Sequence, residues 1–82
     1  MRKIEYKGSV HHDLRRLDRR VASRIIDKIE EELASADFRP VPLSGELKGL
    51  YKLRVGDYRV IYALSADRVY VVEIGHRSDI YR

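Results

Sequence analysis

Apolar residues recur in this chain with two different periods. Ala22, Ile25, Ile26, Ile29 and Leu33 stand three and four apart, which predicts an amphipathic helix of about four turns. Asp18 precedes it as an N-cap, and the other face carries Arg20, Arg24, Asp27, Lys28, Glu31 and Glu32. Val10, Leu14 and Leu17, spaced four and three, predict a shorter helix before it, capped by Ser9. The joint between them is very short, so the two form an antiparallel helical hairpin. Ahead of them Ile4 and Tyr6 alternate with polar neighbours, as in a first strand. Pro40 and Pro42 end the helical region, and Leu43-Ser44-Gly45-Glu46 reads as a loop.

The second half changes period. Residues 49–55, 58–64 and 68–74 read as strands, separated by short turns at Gly56-Asp57 and Ser65-Ala66-Asp67. Such turns make an antiparallel meander. A final turn or short helix is expected over 78–81. The expected fold is therefore α+β, in the order β-α-α-β-β-β. A small antiparallel sheet carries a helical hairpin on one face, and its other face stays partly open. All 82 residues form a single domain.

Composition narrows the functional classes. With 44% hydrophobic and 37% charged residues the chain can build a core and stay in water. No apolar run approaches the roughly 18 residues that span a bilayer, and the first residues lack an apolar leader. The expected setting is cytoplasmic, with no membrane partner. There is no cysteine, so disulfides and thiolate metal sites are excluded, and the small core is expected to lean on a partner for part of its stability. The net charge of +4 is uneven. Residues 1–37 hold nine Lys/Arg against eight Asp/Glu, and residues 38–82 hold eight against five. The excess in the sheet half favours an anionic partner, either nucleic acid or an acidic protein.

Candidate chemistry gathers in the run Leu50 to Tyr62 (LYKLRVGDYRVIY) and in the ending Gly75-His76-Arg77-Ser78-Asp79-Ile80-Tyr81. Alternation puts Lys52 and Arg54 on one face of their strand and Tyr51, Leu53 and Val55 on the other. The apolar set should meet the helices, so the cations face outward. A small bulge near the turn would align Arg59 with Arg54. Arg59 sits in the middle strand, where an unpaired charge is costly. Either Asp57, Glu73 or Asp79 pairs with it, or it faces an open surface and binds an anion in a two-contact fork. His76, Arg77 and Tyr81 could supply a proton acceptor, a phosphate clamp and a polarised hydroxyl. The plainer alternatives are a solvated strand face that discourages edge pairing, and a C-terminal cap in which Tyr81 packs on the sheet and Arg77 pairs with Asp79. His11 and His12 are adjacent and share no helix face. Arg15, Arg16, Arg19, Arg20 and Arg24 form a solvated face, an RNA contact or a partner surface. No Ser-His-Asp set, phosphate-cradling glycine loop or zinc signature occurs, so neither metal nor small-molecule cofactor is expected.

These residues carry a resemblance over the whole chain. The strand Ile4-Glu5-Tyr6, the segment Asp13-Leu14-Arg15-Arg16-Leu17-Asp18, the triplet Leu43-Ser44-Gly45, the run from Leu47 to Tyr62 and the ending His76 to Tyr81 resemble toxins of the RelE/ParE superfamily. The combination of RVGDYRVIY with HRxxIY is the specific part. The resemblance implies a toxin of a type II toxin-antitoxin module, neutralised by an antitoxin encoded beside it. In the RelE branch it implies an endoribonuclease that needs no metal, with the ribosome and its mRNA as partners. There mRNA is cut in the ribosomal A site by attack of a 2′-hydroxyl on the adjacent phosphate.

By the same resemblance Arg59 matches the family's phosphate-stabilising arginine. Arg77 matches the arginine that protonates or stabilises the leaving oxygen, and Tyr81 the tyrosine that orients or activates the 2′-hydroxyl. Lys52 and Arg54 fall where the family places basic residues on the preceding strand. Arg54 stands where some relatives have lysine. Arginine is a poor base, so the proton acceptor is Lys52, Tyr81 or His76. The superfamily also contains ParE-like poisons of DNA gyrase, and the fold would equally suit a degenerate member acting only within an antitoxin complex. The antitoxin is expected to be acidic or amphipathic, packing on the basic helices or covering the open face.

Overall fold

A computed structural model describes residues 3–35, 37, 39–43, 45 and 49–76. The elements run β1 (Lys3–Tyr6), α1 (Gly8–Arg15), α2 (Arg19–Leu33), β2 (Val41–Pro42), β3 (Tyr51–Val55), β4 (Tyr58–Leu64) and β5 (Arg68–His76). They form one five-stranded sheet in the order β1-β5-β4-β3-β2. The α+β class and the three-strand meander are as expected, and β4 keeps the bounds read from the sequence. The expected final turn over 78–81 lies outside the described residues.

The sheet is mixed rather than wholly antiparallel. β1 lies parallel to β5, with Ile4 opposite Val69 and Tyr6 opposite Val71. A parallel neighbour needs a long crossover, and the helical hairpin provides it. At the expected end of the helical region Val41–Pro42 form β2, a strand the sequence did not predict, which pairs antiparallel with Tyr51 and Lys52. Pro42 is tolerated there because an edge strand has one side without ladder bonds.

Both helix starts follow from local chemistry. Asp18 caps α2 as expected, its carboxylate accepting from the Arg20 N–H at 2.9 Å. Ser9 does not cap α1. The Lys7 N–H donates to the Val71 carbonyl at 2.9 Å, ending the β1 ladder, and the Lys7 carbonyl already accepts from the Val10 N–H. The helix therefore begins one turn position earlier, with Lys7 as an N-cap residue that offers no side-chain acceptor.

α1 packs over β5 and α2 over β3. Val10, Ile25, Ile29 and Leu33 descend from the helices onto Val55, Val60, Tyr62, Val69, Val71 and Ile74. Alternation alone cannot place Val69, Val71 and Ile74 on one face. The ladder resolves this with a register shift beside Ile61 and Tyr62: Ile61 faces Glu73, Tyr62 faces Val71, and Val72 is left over. The irregularity is thus on β5 and not beside the hairpin turn, where a bulge was one way to align Arg59 with Arg54. Among the described residues no helix is long and apolar enough to cross a membrane.

Tyr6 is the awkward member of the core's margin. Its hydroxyl is buried without a hydrogen-bond partner among the described residues. Burial raises its pKa above the ordinary 10.0, and the Glu30 carboxylate adds to the shift.

Two outcomes follow. Ile29→Ala should cost about 2–5 kcal/mol in chemical denaturation, because Ile29 is fully buried between layers. Tyr6→Phe should hold or raise the melting temperature at neutral pH, by about 1 kcal/mol at most, since it removes an unsatisfied hydroxyl. A raised folded-state pKa gives stability that is intact below pH 10 and lost as the pH climbs through the folded value. The wild type should therefore lose stability in that alkaline window more than Tyr6→Phe does, and parallel losses would refute the assignment.

Candidate functional site

The site is built on the hairpin β3-β4. A two-residue turn joins the strands, with Val55 opposite Tyr58. Gly56 has φ 60 and Asp57 is not positive, the sign combination of a type II′ turn, which matches strand twist. This tight closure sets the register directly: Arg54 faces Arg59, Leu53 faces Val60 and Lys52 faces Ile61, with no bulge between β3 and β4. Because Leu53, Val55 and Val60 turn to the helices, Lys52, Arg54, Arg59 and Ile61 turn to the open face. Directly opposed side chains start about 5 Å apart at Cβ. Two guanidinium groups therefore share one small area.

The surroundings sharpen this charge. Arg59 is flanked on its other side by Gly75, which projects no side chain over the sheet. Ile61 is only 4% exposed yet lies outside the helix-side core cluster. It forms an apolar floor on the open face, between Lys52 on β3 and Glu73 on β5. Low-polarity floor strengthens the electrostatics above it. This floor escaped the sequence reading, although the parity of Ile61 with Arg59 was the available signal. Arg59 and Lys52 are half-buried and Arg54 is exposed. The Arg54 Nε donates to the Gly56 carbonyl at 3.3 Å, bracing that side chain against the turn.

The far end of the same face is chemically different. There Arg68 is paired with Glu5 at 3.0 Å, an exposed ion pair at the β1-β5 end of the sheet.

His76 lies elsewhere. It stands opposite Tyr58 in the ladder, and the two rings meet edge to face at 5.7 Å and 81°. Tyr58 packs against the helix-side core, so His76 is on the face opposite Arg54 and Arg59. It lines a cleft of about 650 Å³ with Lys7, Asp13, Arg16 and Tyr58. Arg77 and Tyr81 lie outside the described residues. Among the described residues no three His, Asp or Glu side chains converge as a metal site requires.

The geometry can be set beside known proteins. A family model described as the ParE toxin of the type II toxin-antitoxin system parDE matches residues 4–81. The chain belongs to this toxin family. The toxin is 37% identical to Toxin RelE of Mycobacterium tuberculosis strain H37Rv over 82 residues, 96% of this chain and 84% of that protein. Toxin RelG of the same organism is 28% identical over 96% of this chain and 94% of its own length. The fold superposes on the toxin-antitoxin complex RelBE2 of M. tuberculosis with a TM-score of 0.76 at 23% identity, covering 95% of this chain and 93% of the other. The isolated E. coli RelE toxin gives 0.74 at 23% identity, covering 99% and 92%. The toxin is thus a RelE/ParE superfamily member in both sequence and fold, and its family match takes in Arg77 and Tyr81.

Like charges directly opposite each other destabilise a sheet. Arg54→Gln should therefore leave the melting temperature unchanged or slightly raised while weakening binding of an anionic probe such as pyrophosphate. A clear drop in melting temperature would instead make Arg54 a structural residue.

Proposed function

We propose that this toxin is an endoribonuclease that cleaves mRNA in the ribosomal A site and is neutralised by its own antitoxin. The observation that carries the reading is the direct opposition of Arg54 and Arg59 in the ladder, with Lys52 on the same face and Gly75 as the β5 neighbour of Arg59. Such clustered cations suit the charge that develops on a phosphoryl oxygen.

In the proposed reaction the 2′-oxygen of the RNA bonds to the adjacent phosphorus and the bond to the 5′-oxygen breaks. A base takes the 2′-hydroxyl proton, and an acid returns one to the 5′-oxygen. The products are a 2′,3′-cyclic phosphate, which can open to a 3′-phosphate, and a 5′-hydroxyl. Arg59, supported by Arg54, holds the non-bridging oxygens. Arg77 serves the leaving oxygen and Tyr81 the 2′-hydroxyl. Lys52 and Tyr81 are the candidate proton acceptors. His76 is set aside for that role because it sits across the sheet beside Tyr58. Structural relatives were solved as RelB-RelE toxin-antitoxin complexes, which supports a protein antitoxin as partner.

The test is 5′-end mapping of a defined mRNA on purified ribosomes with an occupied P site. The toxin should cut in the A site, and Arg59→Ala should lower the rate about 10²–10³-fold, the usual loss for a removed oxyanion partner. Full cleavage by Arg59→Ala would dismiss the site. A toxin that leaves mRNA intact but stops DNA gyrase would dismiss the nuclease.

A further inference from the structure

The nuclease reading leaves the basic run at the helix junction unused. Arg19, Arg20 and Arg24 are exposed on α2. Among the described residues none of the three has a carboxylate within ion-pairing distance. Their placement runs against helix energetics. α2 carries its arginines in the first turns and Glu30, Glu31 and Glu32 in the last, with no acid in its first turn and no base in its last. That is the reverse of what the helix dipole favours. Arg20 and Arg24 are also like charges one turn apart. Helix stability does not explain this arrangement.

Position offers an explanation. One cleft of about 660 Å³ is lined by Arg19, Arg20, Arg24 and Lys28, with Asp27 and Glu31 on its wall. A second of about 600 Å³ is lined by Arg24, Lys28 and Arg54 beside the Gly56-Asp57 turn, with Asp57 as its one acid. Arg24 and Lys28 belong to both, and Arg54 faces Arg59 across the hairpin. Between them lies the end of β3, whose ladder with β2 among the described residues reaches only Tyr51 and Lys52. The cations outnumber the acids in both clefts and so form a net positive belt, with Asp27, Glu31 and Asp57 interspersed. It leads from the open sheet face, over the end of β3, onto α2. It is bounded by the acidic last turn, where Glu32 engages Lys28 at 2.8 Å.

Resting on the nuclease reading, we propose that this belt is an RNA track in which Arg19, Arg20 and Arg24 bind phosphates flanking the scissile one. The occupant is a single RNA strand. A linear polyanion matches a belt of separated, solvent-facing cations, and continuity with the candidate site gives the strand its direction. These arginines position substrate and take no part in bond cleavage.

The test compares wild type, Arg20→Gln/Arg24→Gln and Arg59→Ala, using fluorescence anisotropy of a short labelled single-stranded RNA across a salt series. Each phosphate contact on a single strand contributes about 0.7 to the slope of log affinity against log salt. The double variant should lower affinity about tenfold at about 0.1 M salt and flatten that slope by about 1.4. Its melting temperature should hold or rise, since two badly placed charges are gone. On ribosomes it should raise KM more than it lowers kcat. Wild-type affinity and slope in the double variant would overturn the track while leaving the nuclease standing, provided the wild type cuts. A wild type that neither binds nor cuts RNA would remove both. A double variant that keeps RNA binding and loses an acidic antitoxin peptide would overturn the track and make the arginines a protein-docking surface.

Discussion

Burial of one sheet face beneath the helical hairpin is the constraint on which the rest of this toxin depends. Val60, Tyr62, Val69 and Val71 are wholly covered, and Val10 and Ile29 cover them from above. With 82 residues and no cysteine, the chain has no other source of comparable stabilisation. Each strand must present its apolar set to that layer. The alternate residues of β3 and β4 then have nowhere to go but the opposite face, and Lys52, Arg54 and Arg59 are among them. The candidate site is thus a geometric consequence of the core.

The same constraint accounts for the irregularities. The extra residue in β5 exists because Val69, Val71 and Ile74 all belong to the core but differ in parity. Without that shift one end of β5 would turn its apolar residues to solvent. The shift leaves Glu73 and Gly75 on the open face beside Ile61 and Arg59. Packing on one side therefore shapes the floor on the other.

Charge is distributed with a different logic. At the β1 end of the open face Arg68 is matched by Glu5. A half-exposed pair of that kind adds little stability, but it leaves that end locally neutral. At the β3 end Arg54 and Arg59 are like charges opposite each other in the ladder, and α2 carries its arginines against its own dipole. Like charges so placed add nothing to the stability of the sheet or of the helix. The belt from α2 to the hairpin and the opposed arginine pair belong to one electrostatic feature.

Local pattern by itself determined much of this. The 3.6-residue stripe from Ala22 to Leu33, the cap at Asp18, the Gly56-Asp57 turn and the face carrying Lys52 and Arg54 were all legible, because each depends on neighbours a few residues away. So was membership of the toxin superfamily, through runs such as RVGDYRVIY that combine turn, strand and cations. Tertiary structure alone decided what pairs with what. Alternation tells a strand which face is buried but not which strand lies beside it. The parallel seat of β1 against β5, some 65 residues away, was therefore hidden, and so was the short β2. His76 looked like a companion of Arg59 because it follows the last strand. The β4-β5 ladder put it opposite Tyr58, on the helix side. Arg54 and Arg59 met for the opposite reason: a two-residue turn leaves one register, and that register set the two arginines opposite each other in the ladder.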